Sequence, residues 1–230
     1  MQPYFFPYLG YFAIMHYVDK WIVFDEAQYI YHGWINRNRI LNYNKDWQYV
    51  TAPIQKHSRD IKIKDVVLAN HIQWRDKLLA QLQQYRKRAP YFSSVIEVVR
   101  EAVNVQEESL SALNTHVLRA ICGYLGISVT IEVFSKRNWD IGEVQEADEW
   151  ALRISESLGA KQYVNPPNGK MFFDEAKWSK SEIELRFLKI RELEYSQKNA
   201  AFIPNLSVID VMMFLEPAHI REAMERYDFI

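Results

Sequence analysis

The pattern of hydrophobic and polar positions changes its period along the chain. Before residue 70 the apolar positions predict a short helix and then strands, and turn residues at 42–46 join two polar-aromatic stretches into a hairpin. The predicted elements are a helix over 12–18 and strands over 21–24, 47–54 and 61–68. The first part of the chain is therefore expected to be mainly sheet.

From residue 70 to residue 126 the apolar residues recur at helical spacing instead. Three helices are predicted over 70–87, 91–103 and 107–125, and Gly126 stands where a helix C-cap is expected. This stretch predicts a helical middle lobe.

Strand composition returns after the helical stretch. A strand over 129–134 and a helix over 145–158 are followed by a strand over 162–164, an order typical of a βαβ-type unit. We expect an α/β fold with a Rossmann-like mixed sheet. The chain is predicted to form one domain over 1–230, with an α/β core over 1–69 and 127–230 and the helical lobe over 70–126.

Charge and cysteine content narrow the function classes. Lys plus Arg number 28 against 29 for Asp plus Glu, and this balance gives no reason to expect nucleic acid as a partner. The single cysteine, Cys122, excludes an internal disulfide and favours a reducing compartment. No apolar run approaches the ~20 residues that cross a bilayer, and no signal-peptide pattern is visible. We expect a cytoplasmic protein without a membrane span.

The N-terminal segment is the first candidate site. Aromatic residues make up 14% of the chain. Their most conspicuous cluster lies over residues 2–12, in a loop that contains two prolines and a glycine. Amide and phenol groups held by such a backbone can present fixed hydrogen-bond donors to a small ligand. The candidate residues are Gln2, Tyr4, Tyr8 and Tyr11. An aromatic plug that closes one end of the sheet is the alternative, and both interpretations stay open.

A second candidate lies at and after the first predicted strand. Asp25 follows that strand at its carboxyl end, where ligands bind in open α/β sheets, and Gln28 lies three residues further on. In the run 36–39, an extended backbone would place Asn36 with Asn38 on one side and Arg37 with Arg39 on the other. Paired guanidinium groups suit phosphate or carboxylate. A solvated charged strand is the alternative.

The third candidate is the proline-stiffened loop from Asn165 to Lys170, in which Gly169 and Lys170 could hold an anionic group, although plain turn chemistry explains it nearly as well. His16 could act as a general base, with a packed or solvated histidine as the alternative. No two histidines stand at metal-ligand spacing, so no metal site is expected, and the sequence identifies no cofactor.

Four motifs carry a resemblance to a known family. They cover 2–12, 25–29, 34–40 and 202–210, and the last of these includes Asn205 and a serine, Ser207, that can cap a helix over 208–214. Together the motifs resemble the WbqC-like protein family over nearly the whole chain. Members of that family commonly carry a first strand before the Gln-Pro motif, and no such residues precede Gln2 here.

The resemblance implies a role in bacterial surface-polysaccharide (O-antigen) biosynthesis. The family has been suggested to transfer an amino acid, glycine in particular, to a sugar. The order of the first elements is also similar to that of nucleotidylyltransferases of the HIGH type, but Tyr8-Leu9-Gly10-Tyr11 occupies the place of their histidine-glycine-histidine loop. The missing histidines argue against adenylation.

The expected function is an aminoacyl-type transferase that acts on a sugar or a sugar nucleotide as its small-molecule substrate. Asp25 and His16 are the candidate catalytic residues. Substrate binding is assigned to Gln2, Tyr4, Tyr8, Tyr11, Gln28, Asn36, Arg37, Asn38, Arg39, Asn165, Gly169 and Asn205. The alternatives are a non-catalytic sugar-nucleotide-binding or scaffold protein of the same pathway and a nucleotidylyltransferase-like enzyme. Donor, acceptor, nucleotide use and oligomeric state stay open.

Overall fold

The computed structural model describes residues 1–198 and 201–230, and these residues form a mixed α/β fold. The α-helices are α1 (Leu9–Tyr17), α2 (Trp74–Leu82), α3 (Phe92–Val103), α4 (Leu110–Leu125), α5 (Glu149–Ser157), α6 (Glu175–Lys180), α7 (Val208–Phe214) and α8 (Pro217–Met224). The strands are β1 (Lys20–Val23), β2 (Arg37–Asn42), β3 (Lys45–Thr51), β4 (Thr130–Val133), β5 (Gln162–Asn165), β6 (Glu184–Ile190) and β7 (Tyr227–Phe229). Short 3-10 helices cover Ile63–Asp65, Gln83–Tyr85, Phe134–Lys136 and Pro167–Phe172.

The described strands form three small open sheets. β1 pairs with β4 in parallel, β2 and β3 form an antiparallel hairpin, and β6 lies between parallel β5 and antiparallel β7. The α/β class and the hairpin are thus confirmed. The Rossmann-like arrangement is not confirmed, because no ladder of hydrogen bonds joins the three sheets into one.

The helical stretch agrees with its prediction. Three helices, α2, α3 and α4, lie between residues 70 and 126, and α2 ends at Leu82 because the chain tightens into the 3-10 helix Gln83–Tyr85. The Ser109 hydroxyl accepts a hydrogen bond from Ala112 N at the start of α4, and Gly126 ends that helix in the left-handed region with φ +68°. The division into an α/β core and a helical lobe stays a prediction.

The strand predicted over 61–68 is wrong. Residues Ile63–Asp65 form a 3-10 helix, because their amides bond to a neighbouring turn and not to a strand partner. Ile63 N donates to Ala27 O and Lys64 N donates to Asp25 O, both at 2.9 Å. The segment therefore covers the end of the β1 region without extending a sheet.

The C-terminal part contains elements that the hydrophobic pattern did not predict. α6 has six residues and β7 three, and such short elements carry too few positions to show a period. The βαβ unit was predicted over the segments that became β4, α5 and β5. In the structure β4 pairs with β1 instead, and the parallel βαβ unit of this region is β5–α6–β6. The predicted helix over 208–214 is confirmed as α7, with the Ser207 hydroxyl accepting from Ile209 N.

Two hydrophobic clusters hold these elements together. The main core contains buried residues from nearly the whole described chain, from Phe5 in the N-terminal loop to Met224 in α8. A second, small cluster consists of Leu152, Trp178 and Ile183 beneath the β5–β6 region. Among residues 1–198 and 201–230, no helix is both long and apolar enough to cross a membrane.

Candidate functional site

A cavity of about 1610 Å³ lies between two walls. The N-terminal loop with parts of α1, β1 and β2 forms the first wall, and α5, β5 and the 3-10 helix Pro167–Phe172 form the second wall. Small-molecule sites usually enclose roughly 300–1,000 Å³. The cavity thus has room for a large ligand or for two smaller ones side by side.

Asn38 holds the N-terminal loop in place. Its Nδ2 donates to Phe5 O at 3.1 Å and to Phe6 O at 2.9 Å, while its Oδ1 accepts from Arg39 N at 2.8 Å. The side chain is buried, so these bonds satisfy groups that water cannot reach. Asn38 therefore shapes the wall through its amide, which has little capacity left for a ligand.

Two further side chains from distant segments bind the same loop. Asn114 Nδ2 in α4 donates to Pro3 O at 2.8 Å, and the Ser207 hydroxyl donates to Phe6 O at 2.8 Å. Phe6 has φ +42°, a conformation that costs energy in a residue with a Cβ. The surrounding hydrogen bonds compensate that strain and make the loop a preformed surface.

Tyr4 and Tyr8 present phenol groups on this wall. Both line the cavity, and neither hydroxyl has a hydrogen-bond partner among residues 1–198 and 201–230. Burial raises the pKa of both phenols, and the neighbouring Tyr4 raises the pKa of Tyr8 further. They are therefore neutral donors at physiological pH.

Gly10 and Tyr11 support these two tyrosines. The Tyr8 ring packs so closely on Gly10 that an added Cβ there would stand 2.5 Å from Tyr8 Cε2. Tyr11 is fully buried, and its hydroxyl donates to Gln2 O at 2.6 Å. Tyr11 thus fixes the loop, whereas the hydroxyls of Tyr4 and Tyr8 are available to a ligand.

Asn165 and Gly169 are together on the second wall, at the carboxyl end of β5. The Asn165 side chain is buried, and its hydrogen bonds to the described residues are all long, accepting from the Tyr163 hydroxyl at 3.4 Å and donating to Pro166 O at 3.3 Å. A Cβ on Gly169 would lie 2.0 Å from Asn165 Nδ2, so only glycine leaves space for that amide. The Tyr163 ring stacks on Trp178 with centroids 5.0 Å apart.

Asp148 adds a carboxylate to the second wall. It lies just before α5, lines the cavity and is 19% exposed. Lys177 contacts Asp148 at 3.3 Å and also bonds to Glu146 and Glu149, which raises the pKa of Lys177. Sequence analysis missed Asp148, because an acidic residue at a helix start is ordinary there. Its position opposite the aromatic loop is a tertiary feature.

The cavity includes many, but not all, of the predicted site residues. Those that line it are Gln2, Tyr4, Tyr8, Tyr11, Asn38, Arg39, Asn165, Gly169 and Asn205. Those that lie outside its lining are His16, Asp25, Gln28, Asn36 and Arg37. The aromatic loop and the 165–170 loop, which are far apart in the chain, thus face one space.

Asp25 lies behind the cavity wall. It is almost fully buried, and its carboxylate accepts hydrogen bonds from the Ser111 hydroxyl at 2.9 Å, the Ser135 hydroxyl at 2.7 Å and Ser135 N at 3.1 Å. These contacts join the end of β1 to α4 and to the segment after β4. The geometry suits a positioning role.

The other predicted residues outside the cavity also have protein partners. Gln28 donates to Arg59 O at 3.0 Å, and Asn36 accepts from the Tyr29 hydroxyl at 2.8 Å. His16 Nε2 lies 3.5 Å from a carboxylate oxygen of Glu225, the residue that follows α8. Within the described part of the chain, no group of three or more His, Cys, Asp or Glu side chains is arranged to hold a metal ion.

Comparisons with known proteins agree on a family. A family model described as the WbqC-like protein family matches residues 2–222. The chain is 27% identical over 215 residues to the uncharacterized protein Rv1507c of Mycobacterium tuberculosis, a match that covers 92% of this chain and 90% of that protein. No solved structure matches the chain.

Proposed function

The chain belongs to the WbqC-like protein family, and from this premise we propose that it is an aminoacyl-type transferase that modifies a sugar or a sugar nucleotide in bacterial surface-polysaccharide biosynthesis. The observation that carries the proposal is the pair of cavity tyrosines, Tyr4 and Tyr8, whose hydroxyls have no partner among the described residues. Aromatic rings with neutral donors suit a sugar, which offers both apolar faces and hydroxyl groups.

The two-walled cavity supports a two-substrate reaction. The sugar lies against Gln2, Tyr4 and Tyr8, and the acyl donor lies toward Asn165 and Gly169. An amine or hydroxyl of the sugar attacks the acyl carbonyl, a new bond to that carbon forms, and the bond to the leaving group breaks. Holding both reactants in one space is itself a large contribution to rate.

The transfer releases a proton from the attacking group, and Asp148 is our candidate to accept it. Its carboxylate lines the cavity, and the Lys177 contact at 3.3 Å holds it in place. A general base must reach the proton that it takes, and Asp148 has that access, whereas the carboxylate of Asp25 is occupied by serine donors.

Ligand binding tests the proposal first. A thermal-shift screen with sugars, nucleotide-sugars and glycine should find a stabilising ligand, by about 2.7 kcal/mol at 100 times its dissociation constant. Tyr4→Phe and Tyr8→Phe should each weaken sugar binding. Tyr31→Phe is the matched control, because Tyr31 is an exposed tyrosine outside the cavity. Absence of any shift with every sugar and nucleotide-sugar would contradict the proposal.

A non-catalytic sugar-nucleotide-binding protein is the second candidate. The position of Asp25 and His16 favours it, because neither predicted catalytic residue lines the cavity. Asp148→Asn separates the two: in a transferase, turnover is lost while ligand affinity stays within about tenfold. The control is Glu149→Gln, which also removes a carboxylate from Lys177 but lies outside the cavity lining.

The proposal includes the predicted cellular location, the predicted class of binding partner and the predicted type of fold. A cytoplasmic location agrees with the single cysteine, and a small-molecule substrate without a nucleic-acid partner agrees with the near-neutral net charge of -1. The parallel pairs β1–β4 and β5–β6 support a Rossmann-like origin of the fold. The catalytic role first assigned to Asp25 is tested by Asp25→Asn, for which we expect lower stability with unchanged catalysis in the folded fraction.

A further inference from the structure

Two arginines in β2, Arg37 and Arg39, differ in how their donors are used. Both lie over aromatic rings of the hairpin, as the alternation of a strand predicts. Arg37 donates to His32 O at 2.5 Å and to Gly33 O at 3.4 Å, and its guanidinium stands 4.2 Å from the Tyr49 ring centre. Arg37 therefore holds the turn before the hairpin, outside the cavity.

Arg39 lines the cavity and has few partners of its own. Its only side-chain hydrogen bond within residues 1–198 and 201–230 goes to Asn205 O at 3.3 Å. The Arg39 Nε is buried without a hydrogen-bond partner, and no described carboxylate lies within ion-pair distance of the group. A guanidinium carries five N–H donors, so most of its hydrogen-bonding capacity remains for a ligand.

The protein nevertheless holds this arginine in a defined place. Arg39 N donates to Asn38 Oδ1 and Arg39 O accepts from Ser207 N, both at 2.8 Å. The guanidinium carbon lies 5.5 Å from the ring centre of Trp34 and 5.3 Å from that of Trp47. The buried Nε without a partner costs free energy, and an anionic ligand that accepts from this guanidinium in the cavity would compensate that cost.

Trp34 extends the same region of the wall. It lines the cavity, and its side chain is 38% exposed, which leaves part of a flat ring accessible beside the cation. A planar heterocycle can stack on such a ring. A small ligand with only a carboxylate would bind Arg39, but it would not contact Trp34 and would not fill the cavity of about 1610 Å³.

We propose that Arg39 and Trp34 form a nucleoside-diphosphate subsite, so that the sugar substrate is carried as a nucleotide-sugar. Arg39 binds the diphosphate, the base lies by Trp34, and the sugar points toward Tyr4 and Tyr8. This inference rests on the proposed function, since it adds the nucleotide carrier to the sugar that the proposed function assigns to the cavity. It also narrows the anion-binding role expected of the 36–39 run to a single arginine.

Calorimetric titration tests the subsite. The probes are UDP, dTDP, GDP, CDP, inorganic pyrophosphate, glycine and N-acetylglucosamine. At least one nucleoside diphosphate should bind the wild type, and Arg39→Ala should weaken it by tenfold or more, about 1.4 kcal/mol. Arg39→Lys should restore only part of the affinity, because lysine lacks the fork. Arg37→Lys, the matched control in the same strand, should bind within about threefold of the wild type.

The outcomes separate this inference from the proposed function. Nucleotide binding that Arg39→Ala leaves unchanged would overturn the subsite but keep the cavity as a sugar site, as would N-acetylglucosamine binding with no nucleoside diphosphate binding. Glycine binding that depends on Arg39, with no nucleotide binding, would assign the arginine to a carboxylate and overturn the inference. If the wild type binds neither sugars nor nucleotides, both proposals fail. Thermal unfolding of each variant without ligand confirms that it is folded.

Discussion

The two walls of the cavity are built in different ways. The first wall rests on the main core, and side chains of β2, α4 and Ser207 bind the carbonyl groups of its loop. The second wall is joined to the main core at Val164 of β5 and otherwise rests on the small cluster of Leu152, Trp178 and Ile183, and it leaves Met171 83% and Phe172 68% exposed. A ligand thus meets one surface that is preformed and another that few buried contacts support.

The largest expected effect comes from the small cluster under the second wall. Trp178→Ala should lower the free energy of unfolding by about 3 to 5 kcal/mol, because it removes a buried indole and its stacking on Tyr163. Denaturant unfolding measures the loss, and Met171→Ala, an exposed control, should change it by no more than about 0.5 kcal/mol. Hydrogen exchange should rise over β5 and β6 more than over the N-terminal loop. An equal rise everywhere would remove the contrast between the walls.

Asn38→Ala tests the first wall. It leaves Phe5 O without this donor in a buried place and leaves Phe6 O with only the Ser207 hydroxyl of its two side-chain donors, so we expect a loss of about 2 to 3 kcal/mol. Asn42→Ala is the matched control, since Asn42 ends the same strand but binds only an exposed turn amide. Chemical denaturation of both variants checks this. A cost for Asn38→Ala no larger than that of its control would show that the loop does not depend on the amide.

Gly10→Ala should affect recognition more than stability. The added methyl group displaces the Tyr8 ring, and we expect about tenfold weaker sugar binding, near 1.4 kcal/mol. Stability should change by less than about 1 kcal/mol, because alanine is the better helix former. Gly123→Ala in α4 has no atom within 4 Å of the new Cβ and should leave binding unchanged. Titration with the ligand found in the thermal-shift screen measures both variants.

The smallest expected effect concerns Glu26, which forms ion pairs with Lys62 and Lys64. Burial acts to raise its pKa, but hydrogen bonds and charges from Lys62 and Lys64 lower it below the ordinary value of 4.5. The stabilisation is therefore present above pH 4.5 and is lost as pH falls through the folded-state pKa. Glu26→Gln should lower stability at neutral pH by at most about 1 kcal/mol, a difference that disappears in acid. Unfolding measured across this pH range tests the sign, and a difference that persists or grows in acid would contradict it.

Local patterns predicted the parts of the site that have short-range causes. The prolines and glycine over 2–12 indicated a shaped loop, and the turn residues over 42–46 indicated the hairpin that carries Arg39. Asn165 was expected at the end of a strand and is found there. The segment over 61–68 was predicted wrongly, because its amides bind a turn near Asp25 and not a strand partner.

The sequence by itself determined the α/β class, the helical middle stretch and the family, because these depend on periodicity and on motifs of adjacent residues. Only the tertiary structure decided which polar residues face the cavity. Arg37 and Arg39 have the same chemistry and lie two positions apart. Arg37 nevertheless bonds to the turn before the hairpin, whereas Arg39 lines the cavity. Asp25 and Asp148 differ in the same way, since serines from distant segments surround one carboxylate while the fold places the other in the wall of the cavity. Contacts between residues far apart in the chain determine which arginine and which aspartate line the cavity, and a local sequence pattern cannot predict such contacts.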